Sequence, residues 1–225
     1  MKEQQVSSRM VYSFFGAPGS GKGTLAQKLV TRNGYRMLST GNLCRQHVAQ
    51  GTAFGKMLNE YLKQGHLIPD ALVTDMVIDW IEQQKGSVEP IVLDGFPRTK
   101  GQAELFINFV QHAPELIFKV VVFAVPDEEI VRRLSQRVVC SNKNCQVPFA
   151  DVDKLTACTF CGSELIKRDD DREEVVRERL VQFPLYAHVL LDYYRQVKQP
   201  VTELDITSLQ QEAVYERFLG TVCTQ

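Results

Sequence analysis

The sequence predicts an α/β fold: a five-stranded parallel sheet with helices on both faces, interrupted by two insertions. Three observations carry the prediction. Short apolar runs alternate with longer helical patterns, and strands separated by helices pair in parallel through right-handed crossovers. A glycine-rich turn ending in a lysine joins the first strand to the first helix. Two segments, 39–68 and 136–171, break the rhythm, the first because it reads as helical throughout and the second because it holds four cysteines.

In chain order, residues 10–15 read as a strand, 21–32 as a helix and 35–38 as a second strand. Helical patterns follow over 43–64, broken near Gly51, and over 70–84. A short strand at 91–93 is bounded by Pro90 and Gly95, and a stronger one spans 118–125. Each leads into a helical pattern, from near Gly101 and near Asp127. Beyond the cysteines a charged helix runs from Asp170 towards Lys198, which Pro184 is expected to kink or split by removing a backbone donor. A strand at 201–205 and a helix at 209–219 close the chain. The expected division is a core of 1–38, 69–135 and 172–225, with insertions at 39–68 and 136–171.

Composition narrows the classes. The 225 residues are 44% hydrophobic and 24% charged, with a net charge of −1. That balance offers no global basic field for nucleic acid or anionic membrane. The richest apolar run, residues 116–125, is broken by Lys119 and too short to span a bilayer. The polar start, through Arg9, lacks the apolar stretch of a secretory signal. The expectation is a cytoplasmic protein with no nucleic-acid or membrane partner.

The strongest local signal is Gly16-Ala17-Pro18-Gly19-Ser20-Gly21-Lys22-Gly23-Thr24. Directly after a strand and opening a helix, such glycines let the backbone turn several N–H groups inward at phosphate oxygens. The helix N-terminus adds partial positive charge, and Lys22 reaches the terminal phosphates. Four cysteines crowd a second region as Cys140-x4-Cys145, twelve residues, then Cys158-x2-Cys161-Gly162. Clustered in this way they read as a closed tetrahedral zinc site, structural because no coordination position stays open.

The glycine-rich motif resembles the phosphate loop of adenylate kinases, and three further motifs agree in order and spacing. They are Ser39-Thr40-Gly41-Asn42-Leu43-Cys44-Arg45, then Asp94-Gly95-Phe96-Pro97-Arg98 with Gln102, then Arg168-Asp169-Asp170-Asp171 with Arg177 and Arg179. The resemblance implies a P-loop three-layer sandwich with a helical acceptor-binding insertion and a zinc-knuckle lid. It also implies a monomer that transfers phosphate from Mg-ATP to AMP. Lys22, Arg98, Arg137, Arg168 and Arg179 would be catalytic. ATP would be held by Gly19, Ser20, Gly21, Lys22, Gly23, Thr24, Arg133, Arg137, Phe149 and Ser208. AMP would meet Thr40, Arg45, His66, Leu67, Ile68, Gly95, Phe96, Pro97, Arg98, Gln102, Arg168 and Arg179. Asp94 would hold magnesium through water, and both insertions would close over the bound nucleotides.

Arginine suits this work because its planar fork grips phosphate oxygens bidentately and keeps its charge. A glutamine amide donates and accepts together, so Gln102 can pair with the edge of adenine. The chain departs from the family pattern in places. Asn42 stands where aspartate is usual, His66 replaces a frequent lysine, Ile206 a common glycine, and the first cysteine knuckle has four intervening residues instead of two. Other readings are a UMP or CMP kinase, a GTP-using kinase, a catalytically weak nucleotide sensor and a zinc-ribbon nucleic-acid binder.

Overall fold

The structure is a computed structural model that describes residues 8–63, 67–142, 145, 148–149, 156–167, 171–207 and 209–223. Five parallel strands form the main sheet in the order β2-β3-β1-β4-β8. They are β1 (Arg9–Phe15), β2 (Arg36–Ser39), β3 (Ile91–Asp94), β4 (Leu116–Ala124) and β8 (Val201–Asp205). In register, Val11 sits between Ile91 and Phe118, and Tyr12 between Val92 and Lys119. A central parallel strand is covered on both faces, so it reads as a continuous apolar run. Val11, Tyr12, Phe14 and Phe15 are accordingly all buried.

Alternating side chains feed two cores. On one face Val11, Ile91, Leu93 and Val120 pack with α4 (Asp70–Glu82), α5 (Lys100–Gln111) and α7 (Glu173–Gln196). On the other, Tyr12, Phe14, Val92 and Val121 pack with α1 (Lys22–Asn33) and α8 (Gln211–Val222). Between β2 and α4 stand α2 (Thr40–Gln50), ending at Gly51, and α3 (Ala53–Lys63). The five-stranded α/β fold is as the sequence predicts. Among the described residues no helix is long and apolar enough to cross a membrane.

Of the kink or split expected at Pro184, the split does not occur, since α7 runs unbroken for 24 residues around it. A proline inside a helix costs roughly 3 kcal/mol, whereas fully burying a large apolar side chain returns about 1.5–3 kcal/mol. With Leu180, Ala187, Leu190 and Tyr194 all buried, tertiary packing wins. The cysteine segment also contains three short strands that its sequence did not announce. These are β5 (Val138–Cys140), β6 (Pro148–Phe149) and β7 (Leu165–Ile166), joined as an antiparallel sheet in the order β6-β5-β7. They follow α6 (Asp127–Gln136).

Candidate active site

The strand order places β1 where successive connections diverge, to β2 on one side and through β4 to β8 on the other. Ligands of open parallel sheets bind beyond the carboxyl ends of strands at such a point. There the chain leaves Phe15 and curls around its own lysine. Lys22 Nζ donates to the carbonyls of Gly16 and Ala17 at 2.8 Å and to Ser20 Oγ at 3.0 Å. Gly19 adopts φ +82°, and a Cβ there would fall 2.7 Å from Leu134 Cγ. Only glycine allows α6 to pack this closely against the loop.

Asp94, at the end of β3, faces this lysine. Both groups keep some access to the cleft but are surrounded by protein. Burial pulls the Lys22 ammonium down to about 8; Asp94 opposes the shift, and Arg98, Arg137 and Arg179 add to it. Burial pushes the Asp94 carboxyl up, opposed by Lys22 and Arg98. A site this rich in cations is preorganised for polyanions, because bound phosphate would relieve the mutual repulsion.

A cleft of about 1950 Å³ opens from the loop and reaches the acceptor motif. It gathers Gly19, Gly21, Lys22, Gly23, Thr24, Arg45, Asp94, Gly95, Arg98, Arg133, Arg137, Phe149 and Arg179 from the expected set. The arginines are held in place by neighbours. Arg137 makes a forked contact with Asp171, its Nε 2.7 Å from Oδ2, and that carboxylate is buried. Arg133 Nε donates to Glu129 at 2.7 Å. Arg132 and Arg133 together hold the Glu129 carboxyl at about 2. Arg98 Nε donates to the Gly95 carbonyl at 2.8 Å, and Arg45 bonds Asn42 Oδ1.

Other expected residues lie elsewhere. Ser20 is a buried member of the loop, and the Phe96 side chain is core, edge-on to Phe106. Leu67 is 94% exposed. Thr40, Ile68, Pro97 and Gln102 do not line the cleft. Thr40 Oγ1 donates to the Gly95 carbonyl at 3.4 Å. Gln102 is buried and hydrogen-bonded at both ends of its amide. His66, Arg168 and Ser208 lie outside the described residues. Ile206 is buried against the loop and forms an apolar wall of the cleft.

Several cleft residues escaped the sequence reading. Phe160 stands 6.3 Å from Phe149, ring centre to ring centre, and both line the cleft. Its position inside the second cysteine knuckle was the available signal. Arg132, Lys167 and Tyr186 also line the cleft. Asp171 belongs to the Arg168–Asp171 motif, and its grip on Arg137 depends on a contact between residues 34 apart.

The four cysteine sulfurs lie within 4.8 Å of one another. Cys140 and Cys161 are 3.3 Å apart at sulfur, and Cys145 and Cys158 3.7 Å. Tetrahedral zinc with Zn–S bonds of about 2.3 Å needs sulfurs roughly 3.8 Å apart. The cluster therefore fits zinc without rearrangement of the fold. In the second knuckle the Gly162 N–H donates to the Cys158 carbonyl at 2.8 Å. Despite the longer first knuckle, the Cys145 sulfur still reaches the cluster.

A family model described as adenylate kinase matches residues 14–199. The adenylate kinase of Archaeoglobus fulgidus is 39% identical over 184 residues, covering 81% of this chain and 84% of that protein. The adenylate kinase of Caldicellulosiruptor bescii is likewise 39% identical over 184 residues, 80% of this chain and 84% of its own. That of Methanosarcina barkeri is 33% identical over 213 residues, 91% of this chain and 97% of its own.

Proposed function

The chain belongs to the adenylate kinase family, and from that membership we propose that it transfers the terminal phosphate of Mg-ATP reversibly to AMP, giving two ADP. The observation that carries the reading is one continuous cleft joining the phosphate loop to Arg45 and Arg98. Its volume of about 1950 Å³ exceeds the ~300–1,000 Å³ typical of a single small-ligand site. A space of that size has room for two nucleotides.

In this reading an AMP phosphate oxygen attacks the γ-phosphorus of ATP, the bond to the β–γ bridging oxygen breaks, and ADP leaves. The acceptor is already anionic, so positioning and charge neutralisation are what the protein must supply. Lys22 and the loop residues 19–24 would hold the β- and γ-phosphates. Arg133 and Arg137 would approach the donor, Arg45 and Arg98 would fix the acceptor, and Arg179 would face both. Asp94 and Thr24 would hold magnesium, which neutralises charge on the donor phosphates. Phe149 and Phe160 offer stacking faces for the donor base, while Thr40 and Gln102 would read the acceptor base. Arg168, His66, Ser208 and the backbone at 67–68 and 95–97 complete the proposed contacts.

The segments 39–68 and 136–171 would act as mobile lobes on the core, closing to exclude water. The four cysteines would hold structural zinc in the second. The proposed setting is a cytosolic monomer with ATP and AMP as its partners. The test is ADP formation from Mg-ATP with AMP, CMP, UMP and GMP offered separately. Strong preference for AMP is expected; transfer to another monophosphate would overturn the base assignment. No transfer to any would leave a nucleotide sensor.

A further inference from the structure

The Gln102 amide sits between two neighbours of opposite and single polarity. Its Oε1 accepts from the Arg98 backbone N–H at 2.8 Å, and its Nε2 donates to Asp70 Oδ1 at 3.0 Å. A backbone N–H can only donate and a carboxylate only accept. Reversing the amide would set oxygen against the carboxylate and N–H against N–H. Gln102 is largely buried, so water has little room to relieve either mismatch.

We propose that Asp70 is a positioning residue for acceptor-base specificity, fixing the polarity of the Gln102 amide so that it pairs with adenine and rejects a 6-oxopurine. The inference rests on the proposed role of Gln102 as a reader of the acceptor base. A carboxamide has two N–H groups and two oxygen lone pairs. Asp70 and Arg98 take one of each, leaving one donor and one acceptor at assigned ends. Adenine presents an amino donor at C6 beside a ring-nitrogen acceptor. Hypoxanthine and guanine reverse this, with an oxygen acceptor beside an N–H donor. An amide held one way round complements the first edge and opposes the second.

The local fold is built for this contact. Asp70 is the first residue of α4, and Gln102 lies in the first turn of α5. A Cβ at Gly101 would fall 2.5 Å from Asp70 Oδ2, so glycine there lets the carboxylate approach. Thr99 caps α5 by accepting from the Gln102 N–H at 3.1 Å. The Asp70 carbonyl is itself tied to Thr74 Oγ1 at 2.8 Å. Backbone and side chain are therefore anchored at both ends of the bond.

The experiment compares kcat/KM for AMP and IMP, which differ only at the edge in question, in wild type, Asp70→Asn, Asp70→Ala and Gln102→Ala. Inhibition by IMP against AMP supplies the ratio where IMP turnover is slow. Asparagine preserves shape but can donate as well as accept, removing one of the two mismatches. Asp70→Asn is expected to lower the AMP-to-IMP ratio roughly tenfold, the scale of one hydrogen bond to a charged group, with KM for ATP unchanged. Asp70→Ala should lower the ratio in the same direction. A ratio unchanged in both Asp70 variants, even if AMP and IMP slow together, would reduce Asp70 to a tie between α4 and α5. If Gln102→Ala shifts the ratio and the Asp70 variants do not, base reading by Gln102 stands and the role of Asp70 falls. If Gln102→Ala also leaves the ratio intact, both fall.

Discussion

Lys22 titrates within reach of physiological pH, and this makes the phosphate loop testable without any mutation. Surrounding protein and three nearby arginines bring its ammonium down to about 8. Between pH 7 and pH 9 the charged fraction in the free enzyme falls from about nine-tenths to about one-tenth. Because kcat/KM reports the free enzyme, its value for ATP is expected to drop roughly tenfold across that interval. Bound phosphates restore the charge, so kcat should decline less. A Lys22→Arg variant, whatever rate it retains, should lose this inflection, since guanidinium stays protonated. A wild-type profile flat to pH 9.5 would refute the placement of Lys22 in a buried, cation-rich loop.

Stability gives an independent reading of the same group. Its folded pKa, about 8, lies below the ordinary 10.5, so between those values the unfolded chain binds the extra proton. Stability attributable to Lys22 therefore rises with pH across that window and is lost as pH falls back towards 8. At 1.36 kcal/mol per pH unit the full swing is about 3 kcal/mol. Denaturant titrations at several pH values should show wild type gaining on Lys22→Met between pH 8 and 10.5. Parallel curves for the two proteins would refute the burial argument.

Zinc should be found at one ion per chain, and Cys158→Ser should lose it; a purified wild type with no bound metal after zinc supplementation would remove the lid assignment. Asp171→Asn is expected to lower kcat/KM for ATP about ten- to a hundredfold, because a buried forked partner of Arg137 is worth roughly 1.5–3 kcal/mol. Unaltered ATP kinetics would mean that Arg137 needs no such support. Asn42→Asp should lower the magnesium concentration giving half-maximal rate by restoring a negative charge to the cleft that holds Asp94, and an unchanged magnesium titration would count against that role.

Much of this protein is local and therefore legible in its residues. The phosphate loop needs only a strand, glycines at turning positions, a lysine and a helix, all contiguous. The alternation of short apolar runs with helices was enough to predict five parallel strands, because burial on both faces imposes an unbroken apolar pattern. The cysteines announced themselves by type and spacing, since thiolates clustered in one window have few other purposes.

What the residues alone left open depends on contacts between distant segments. Pro184 carries a strong local preference to break a helix, yet α7 passes through it because its flanking turns are anchored in the core. The three strands of the cysteine segment are two or three residues long, too short to declare a period of their own, and exist through pairing with one another. Asp171 becomes a partner of Arg137, and Asp70 a partner of Gln102, only when the fold joins residues 34 and 32 positions apart. Local sequence determined which chemical groups this protein carries and which segments present them. Tertiary structure decided which way each group faces and which neighbour holds it, because orientation is set by packing and hydrogen bonding across the fold.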